Sequence, residues 1–163
     1  MTIEIHPTAK VSALADIEVS VRGTKVVIGP RTVIDAFVKF KPAGGKGDVV
    51  IGADCVLNSG CVVYTGNGLT IGDGVAVAAN TTFAPVNHAF MDKNRTIREQ
   101  RFLPSKGGIV IGDDVWIGAN CVILDGACIS DGAVVGAMSL VRGNVAPYSV
   151  VAGNPLRQIS ERT

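Results

Sequence analysis

The chain has 163 residues and a formal net charge of +1, a length suited to one domain with a sizeable core. That charge supplies none of the basic excess a nucleic-acid groove needs, and no stretch approaches the ~18–20 apolar residues of a membrane-spanning helix. Cys55, Cys61, Cys121 and Cys128 lack the paired spacing of a metal or redox centre and read as small buried hydrophobes.

The opening stretch, residues 1–7, has neither a basic start nor an apolar run, so no secretory leader is expected and the cytoplasm is the expected compartment. From Ile5 onward a six-residue frame recurs. It gives Ile5, Val11 and Ile17, then Ile28, Ile34 and Phe40. A Gly-rich excursion from Lys41 to Asp48 interrupts it before Ile51, Leu57 and Val63, and a shorter one from Tyr64 to Thr70 precedes Ile71, Val77 and Phe83. The longest excursion, Ala84 to Gly108, carries Asp92, Lys93, Arg95, Arg98, Glu99, Arg101 and Lys106; loops of this length tend to be functional. The frame then runs unbroken through Ile111, Ile117, Ile123, Ile129, Val135 and Val141. After Pro155, Leu156–Glu161 is expected to form a short helical cap. The expected division is residues 1–155 as the repeat domain and 156–163 as a tail or short helix.

Four positions after each aliphatic of the unbroken run stands a small or β-branched residue: Val115, Cys121, Ala127, Ala133, Ser139 and Val145. Neither a helix period nor strand alternation generates a six-residue repeat of this length. Short strands joined by tight corners do. The aliphatic points into a narrow triangular core, the small residue fills the corner, and Gly or Asn supplies conformations other residues adopt only with strain. Three such sides make an 18-residue coil, and six to seven coils at the ~4.8 Å strand spacing make a prism ~30 Å tall. An ordinary β-sandwich does not explain six hexads in register. The expected fold is therefore an all-β, parallel β-helix with protruding loops. The last residue of each hexad should face outward, and these turn apolar along the chain: Val56, Val62, Ala76, Trp116, Val122, Val134 and Leu140. Self-association is the simplest cover for such a wall.

Asn87-His88 at the mouth of the longest loop, Ile111-Gly112-Asp113-Asp114-Val115-Trp116-Ile117-Gly118, Val135-Gly136-Ala137-Met138-Ser139 and the ending Ala152-Gly153-Asn154-Pro155 resemble the hexapeptide-repeat acyltransferases. The resemblance is in particular to the galactoside and maltose acetyltransferases and the O-acetyltransferases of polysaccharide synthesis. The resemblance implies left-handed winding, against the usual crossover rule, and a homotrimer with active sites between subunits. It implies acetyl-CoA as co-substrate, a sugar acceptor and no metal.

His88 is then the expected general base. Acyl transfer to an alcohol needs a group that removes the proton as the oxygen attacks, and imidazole titrates near neutrality. Asn58 aligns with a family residue that binds acceptor hydroxyls, as an amide can; it reads equally as a corner Asn. Asn87, beside the base, is a similar candidate. Asp92, Arg95 and Arg98 read first as solvated charges, with an acidic sugar or sugar nucleotide as the other reading. For CoA the resemblance implies Trp116 beside the pantetheine, backbone groups of Ala119 and Ala137 along its amides, and Arg157 near the phosphates. Arg142 is the remaining candidate for a phosphate contact, although many relatives carry Thr followed by Lys where this chain has Arg142-Gly143, so the cation is moved by one residue. A zinc enzyme of the γ-carbonic anhydrase type needs three histidines, and His88 and His6 are too few. A non-catalytic β-helix scaffold predicts neither a loop histidine nor the CoA-type ending. N-acetylation of an amino sugar needs the same base and stays open.

Overall fold

The structure, a computed structural model, describes residues 3–163, so Met1 and Thr2 of the opening stretch lie outside it. Its repeating unit is a strand of two or three residues followed by a corner. At the corner the third residue after the inward aliphatic has positive φ: Arg31, Phe37, Asp54, Asn80, Asp114, Asn120, Met138 and Tyr148, with Gly60, Gly74, Gly126 and Gly132 in equivalent places. One residue later comes the small inward side chain, and Val115, Cys121, Ala127, Ala133, Ser139 and Val145 are all buried. A left-handed residue turns the chain sharply, and the following small residue fits the space left inside the turn. The glycine directly after the aliphatic serves another purpose. A Cβ on Gly118 would lie 2.4 Å from the Ala137 backbone nitrogen, so here glycine permits one coil to lie against the next.

Successive strands visit three parallel sheets in rotation. The first holds Ile3–Ile5, Val26–Ile28, Val49–Ile51, Leu69–Ile71, Ile109–Ile111, Cys128–Ile129 and Asn144–Val145. The second holds Lys10–Val11, Val33–Ile34, Val56–Leu57, Ala76–Val77, Trp116–Ile117, Val134–Val135 and Ser149–Ala152. Asp16–Ile17, Lys39–Lys41, Val62–Tyr64, Thr82–Ala84, Val122–Leu124 and Leu140–Val141 make the third. Seven coils at the ~4.8 Å strand spacing give a stack of ~30 Å, as the hexads predict.

Aliphatics from successive coils lie directly over one another: Ile28 pairs with Ile51, Ile51 with Ile71, Ile71 with Ile111 and Ile111 with Ile129. From Asp113 to Asp131 the coil takes the expected 18 residues, while from Asp73 to Asp113 it takes 40. The surplus leaves the prism at one place. Lys41–Asp48, the 64–70 segment and the 84–108 segment all connect the third sheet to the first, so every predicted excursion emerges along a single edge.

Three expectations need correction. Leu156–Glu161 forms no helix: Arg157–Glu161 is a strand that pairs antiparallel with Ser149–Ala152. The last coil leaves that strand's backbone groups unpaired, and the returning tail satisfies them while Leu156 packs on the core. Cys55, Cys61 and Cys121 are buried, but Cys128 is exposed, because it immediately precedes inward Ile129 and so points to the other face of its strand. In the first coil Ile5 is 43% exposed, since among the described residues no coil covers it from above. Of the predicted outer wall, Ala76 and Trp116 are exposed, whereas Val56, Val62, Val122, Val134 and Leu140 are half-covered by their ladder neighbours.

Candidate active site

The 84–108 loop starts from a built platform. Pro85 is buried, its carbonyl accepts the Asn67 amide at 2.9 Å, and a Cβ on Gly44 would meet the Val86 side chain at 2.6 Å. The Gly-rich 41–48 excursion thus lets Val86 seat closely against it. Beyond Val86 the loop folds back as a short antiparallel ribbon. The Leu103 amide donates to the Asn87 carbonyl at 2.8 Å and the Ala89 amide to the Arg101 carbonyl at 3.0 Å. His88 faces Phe102 across this ribbon, with ring centroids 4.6 Å apart, and its own side chain is exposed. The imidazole is held by a backbone pair on each side and by an aromatic face, and it is open to solvent.

The loop is more ordered than its sequence suggests. Ile97–Gln100 is one helical turn capped by Thr96, whose hydroxyl accepts the Glu99 amide while the Glu99 carboxylate accepts the Thr96 amide, a reciprocal capping box. The Thr96 backbone N–H, then its hydroxyl, hold the Glu99 carboxyl below the usual carboxylate range. The returning end is pinned by Asp125, buried, which accepts from the Gly108 amide (2.9 Å), the Lys106 amide (2.9 Å) and the Asn67 side chain (3.1 Å). Neither Phe102 nor Asp125 was legible beforehand. The loop has no period from which a cross-ribbon pair could be read, although a lone acid where a long loop rejoins the frame is a usable signal.

The predicted residues divide between two edges. Asn87, His88 and Arg142 lie where the third sheet passes to the first. Asn58, Ala119 and Ala137 lie where the second passes to the third, with Trp116 on the outer face of the second sheet, 54% exposed. Arg157, on the antiparallel tail strand, pairs with Ala152 at the foot of that sheet. Within one chain the third sheet therefore separates His88 from Ala119 and Ala137, whereas Arg142 shares the His88 edge. On the second edge the Asn58 side-chain amide donates to the Val77 carbonyl at 2.8 Å, leaving its side-chain oxygen for other work. Beside it the Ser59 hydroxyl donates to Asp35 at 2.7 Å; this bond, with the Ala36 amide, holds the Asp35 carboxyl below its ordinary range. Further down, the Ala119 carbonyl accepts the Met138 amide. Among the described residues, the amides of Ala119 and Ala137 donate to nothing within the chain, so both remain available as donors. Among the described residues, too, no three His, Cys, Asp or Glu side chains cluster as a metal site requires, and no helix is long and apolar enough to cross a membrane.

Residues 108–143 match the bacterial transferase hexapeptide family (six repeats). A chloramphenicol acetyltransferase of Agrobacterium fabrum is 48% identical over 61 residues, 37% of this chain and 29% of that protein. The galactoside O-acetyltransferase of Escherichia coli K12 is 38% identical over 87 residues, 53% of this chain and 41% of that protein. The chain thus spans less than half the length of either relative. Among solved structures, the N-acyltransferase AntD of Bacillus cereus shares the fold, with a TM-score of 0.79 at 22% identity over 99% of this chain and 83% of that one. A hexapeptide-repeat acetyltransferase of Vibrio cholerae, solved with acetyl coenzyme A, gives 0.60 at 28% identity, covering 86% and 70%. The stretch that matches that family, residues 108–143, is the best-kept run of the hexad frame, and the same frame winds through all three sheets of this chain.

Proposed function

We propose that the protein transfers an acetyl group from acetyl-CoA to a hydroxyl of a sugar-containing acceptor, with His88 as general base. The observation that carries this reading is the seating of His88: an exposed imidazole, fixed by backbone pairing and by Phe102, at the root of the longest loop. The acetyltransferase relatives and the acetyl-CoA-bound structure support the choice of donor. Acetyl-CoA supplies the activated thioester. His88 takes the proton from the acceptor hydroxyl as its oxygen attacks the thioester carbonyl. The C–O bond forms, the C–S bond breaks, and the proton passes to the departing thiolate. Backbone donors steady the oxyanion, and no enzyme nucleophile is used; burial pushes the Cys55, Cys61 and Cys121 thiols up.

The Ala119 and Ala137 amides suit the pantetheine carbonyls, Trp116 its flank, and Arg157 and Arg142 the phosphates. Asn58 and Asn87 would face the acceptor. In this reading the coils wind left-handed and three copies pack about a threefold axis, so that the His88 edge of one meets the Ala119–Ala137 edge of the next. The apolar positions at Trp116, Ala76 and Val134 then become contacts. The test is His88→Ala: turnover should fall by about 10²–10⁴ with an unchanged melting temperature. Near-wild-type turnover from the folded variant would remove His88 from the mechanism.

A further inference from the structure

Nine non-glycine residues have positive φ among the described residues, and eight occupy the repeating corners, where the winding of the coil imposes that conformation. Arg101 is the ninth. It lies outside the frame, at φ 63° and ψ −132° where the helical turn ends, a backbone region that glycine adopts freely and a side chain does not. Its carbonyl accepts the Ala89 amide at 3.0 Å, and it directly precedes Phe102, whose ring lies against His88. Strain therefore sits one residue from the support of the candidate base, at a place where the fold itself would be better served by glycine.

The charge around it is unbalanced. The 84–108 loop carries five cations against two carboxylates in a chain of net charge +1. Both carboxylates are occupied locally: Glu99 closes the capping box and Asp92 accepts the Asn94 amide at 3.0 Å. The Arg95 guanidinium is turned back onto the Glu99 carbonyl at 2.8 Å. Among the described residues, Lys93, Arg98 and Arg101 form no ion pair. An excess of unpaired cations on the loop that carries an exposed base attracts a negatively charged ligand, and a guanidinium fits the oxygens of a phosphate.

We infer that Arg101 is a specificity-determining residue that selects acceptors bearing a phosphate group near the hydroxyl to be acetylated. This rests on the acetyl-transfer reading above. CoA also carries phosphates, so two sources of the same chemistry must be separated.

The experiment compares wild type with Arg101→Gly and Arg101→Lys on a hexose 1-phosphate and the corresponding methyl hexoside, with acetyl-CoA varied independently. The preference for the phosphorylated acceptor, as a ratio of kcat/KM, should drop roughly tenfold or more in Arg101→Gly and recover in part in Arg101→Lys. The KM for acetyl-CoA should not follow it. In parallel, with coenzyme A saturating the Arg142 and Arg157 positions, inorganic pyrophosphate should raise the melting temperature of wild type but not of Arg101→Gly, which itself should melt higher than wild type because the strain is gone. An unchanged acceptor ratio, a shift in acetyl-CoA KM alone, or equal pyrophosphate stabilisation of both proteins would each overturn the assignment. If wild type acetylates no acceptor, the acetyl-transfer reading falls by itself, and the pyrophosphate comparison still decides whether Arg101 binds an anion.

Discussion

At the scale of single residues, the loop that carries His88 is stabilised by very few side chains, and one of them titrates. Glu99 makes both halves of the capping box possible, and hydrogen bonds from Thr96 depress its carboxyl in the folded state. A carboxyl with a lowered folded pKa adds stability that is present above the unfolded value, about 4.3, and is lost as pH falls through the lowered one. Protection of the Glu99 and Gln100 amides, both of which donate to Thr96, should therefore hold at neutral pH and decline in the acid range below about pH 4. Glu99→Gln should remove that dependence, and protection that stays flat in wild type would show the box to be idle. The position of His88 was legible in advance, because a histidine opening a long loop stands out against a strict frame. Its ring partner was not, since Phe102 is fourteen residues further along and only the ribbon brings them together. Arg101 was legible only as charge; its conformation is a property of the backbone.

Among elements, the hexad corner is the unit whose chemistry matters most. Its inward residues follow from spacing alone: the aliphatics and the small residues four places on are buried as the frame requires. What spacing does not distinguish is why glycine recurs. At Gly132 the corner needs positive φ, while at Gly118 φ is ordinary and the next coil stands where a side chain would go. The two cases are separable by substitution. Gly118→Ala puts a Cβ against the Ala137 backbone and should cost about 1–3 kcal/mol, read by urea unfolding. Gly143→Ala, with nothing within 4 Å of the added carbon and ordinary φ, should be nearly neutral. Equal costs would show that close packing between coils is not the reason for glycine at 118. The tail was misread at this same scale. Pro155 followed by a short polar run satisfies the rules for a helix start, yet an unpaired sheet edge nearby offers more hydrogen bonds than one turn of helix could. Local propensity lost to a partner that only the assembled fold provides.

For the whole molecule, periodicity encodes the prism, and the resemblance gives its likeness to known transferases; how the two sets of candidate residues lie relative to each other comes only from winding the chain. All excursions emerge on one edge and the small-residue ladder with its free amides runs down another, so no single copy brings His88 to Ala119 and Ala137. This separation, unremarkable in a list of positions, is what makes a shared site between copies the natural reading of an apolar outer wall. The most direct test is complementation. His88→Ala chains lack the proposed base but keep the proposed CoA edge; Ala137→Trp chains block that edge but keep His88. Each alone should be inactive. Unfolded together and reassembled as mixed trimers, about one interface in four would combine an intact His88 with an intact Ala137 edge, and activity should return to roughly a quarter of wild type. If mixed trimers form and activity stays at the level of the separate variants, the site does not lie between copies and the account of this molecule is wrong at its centre.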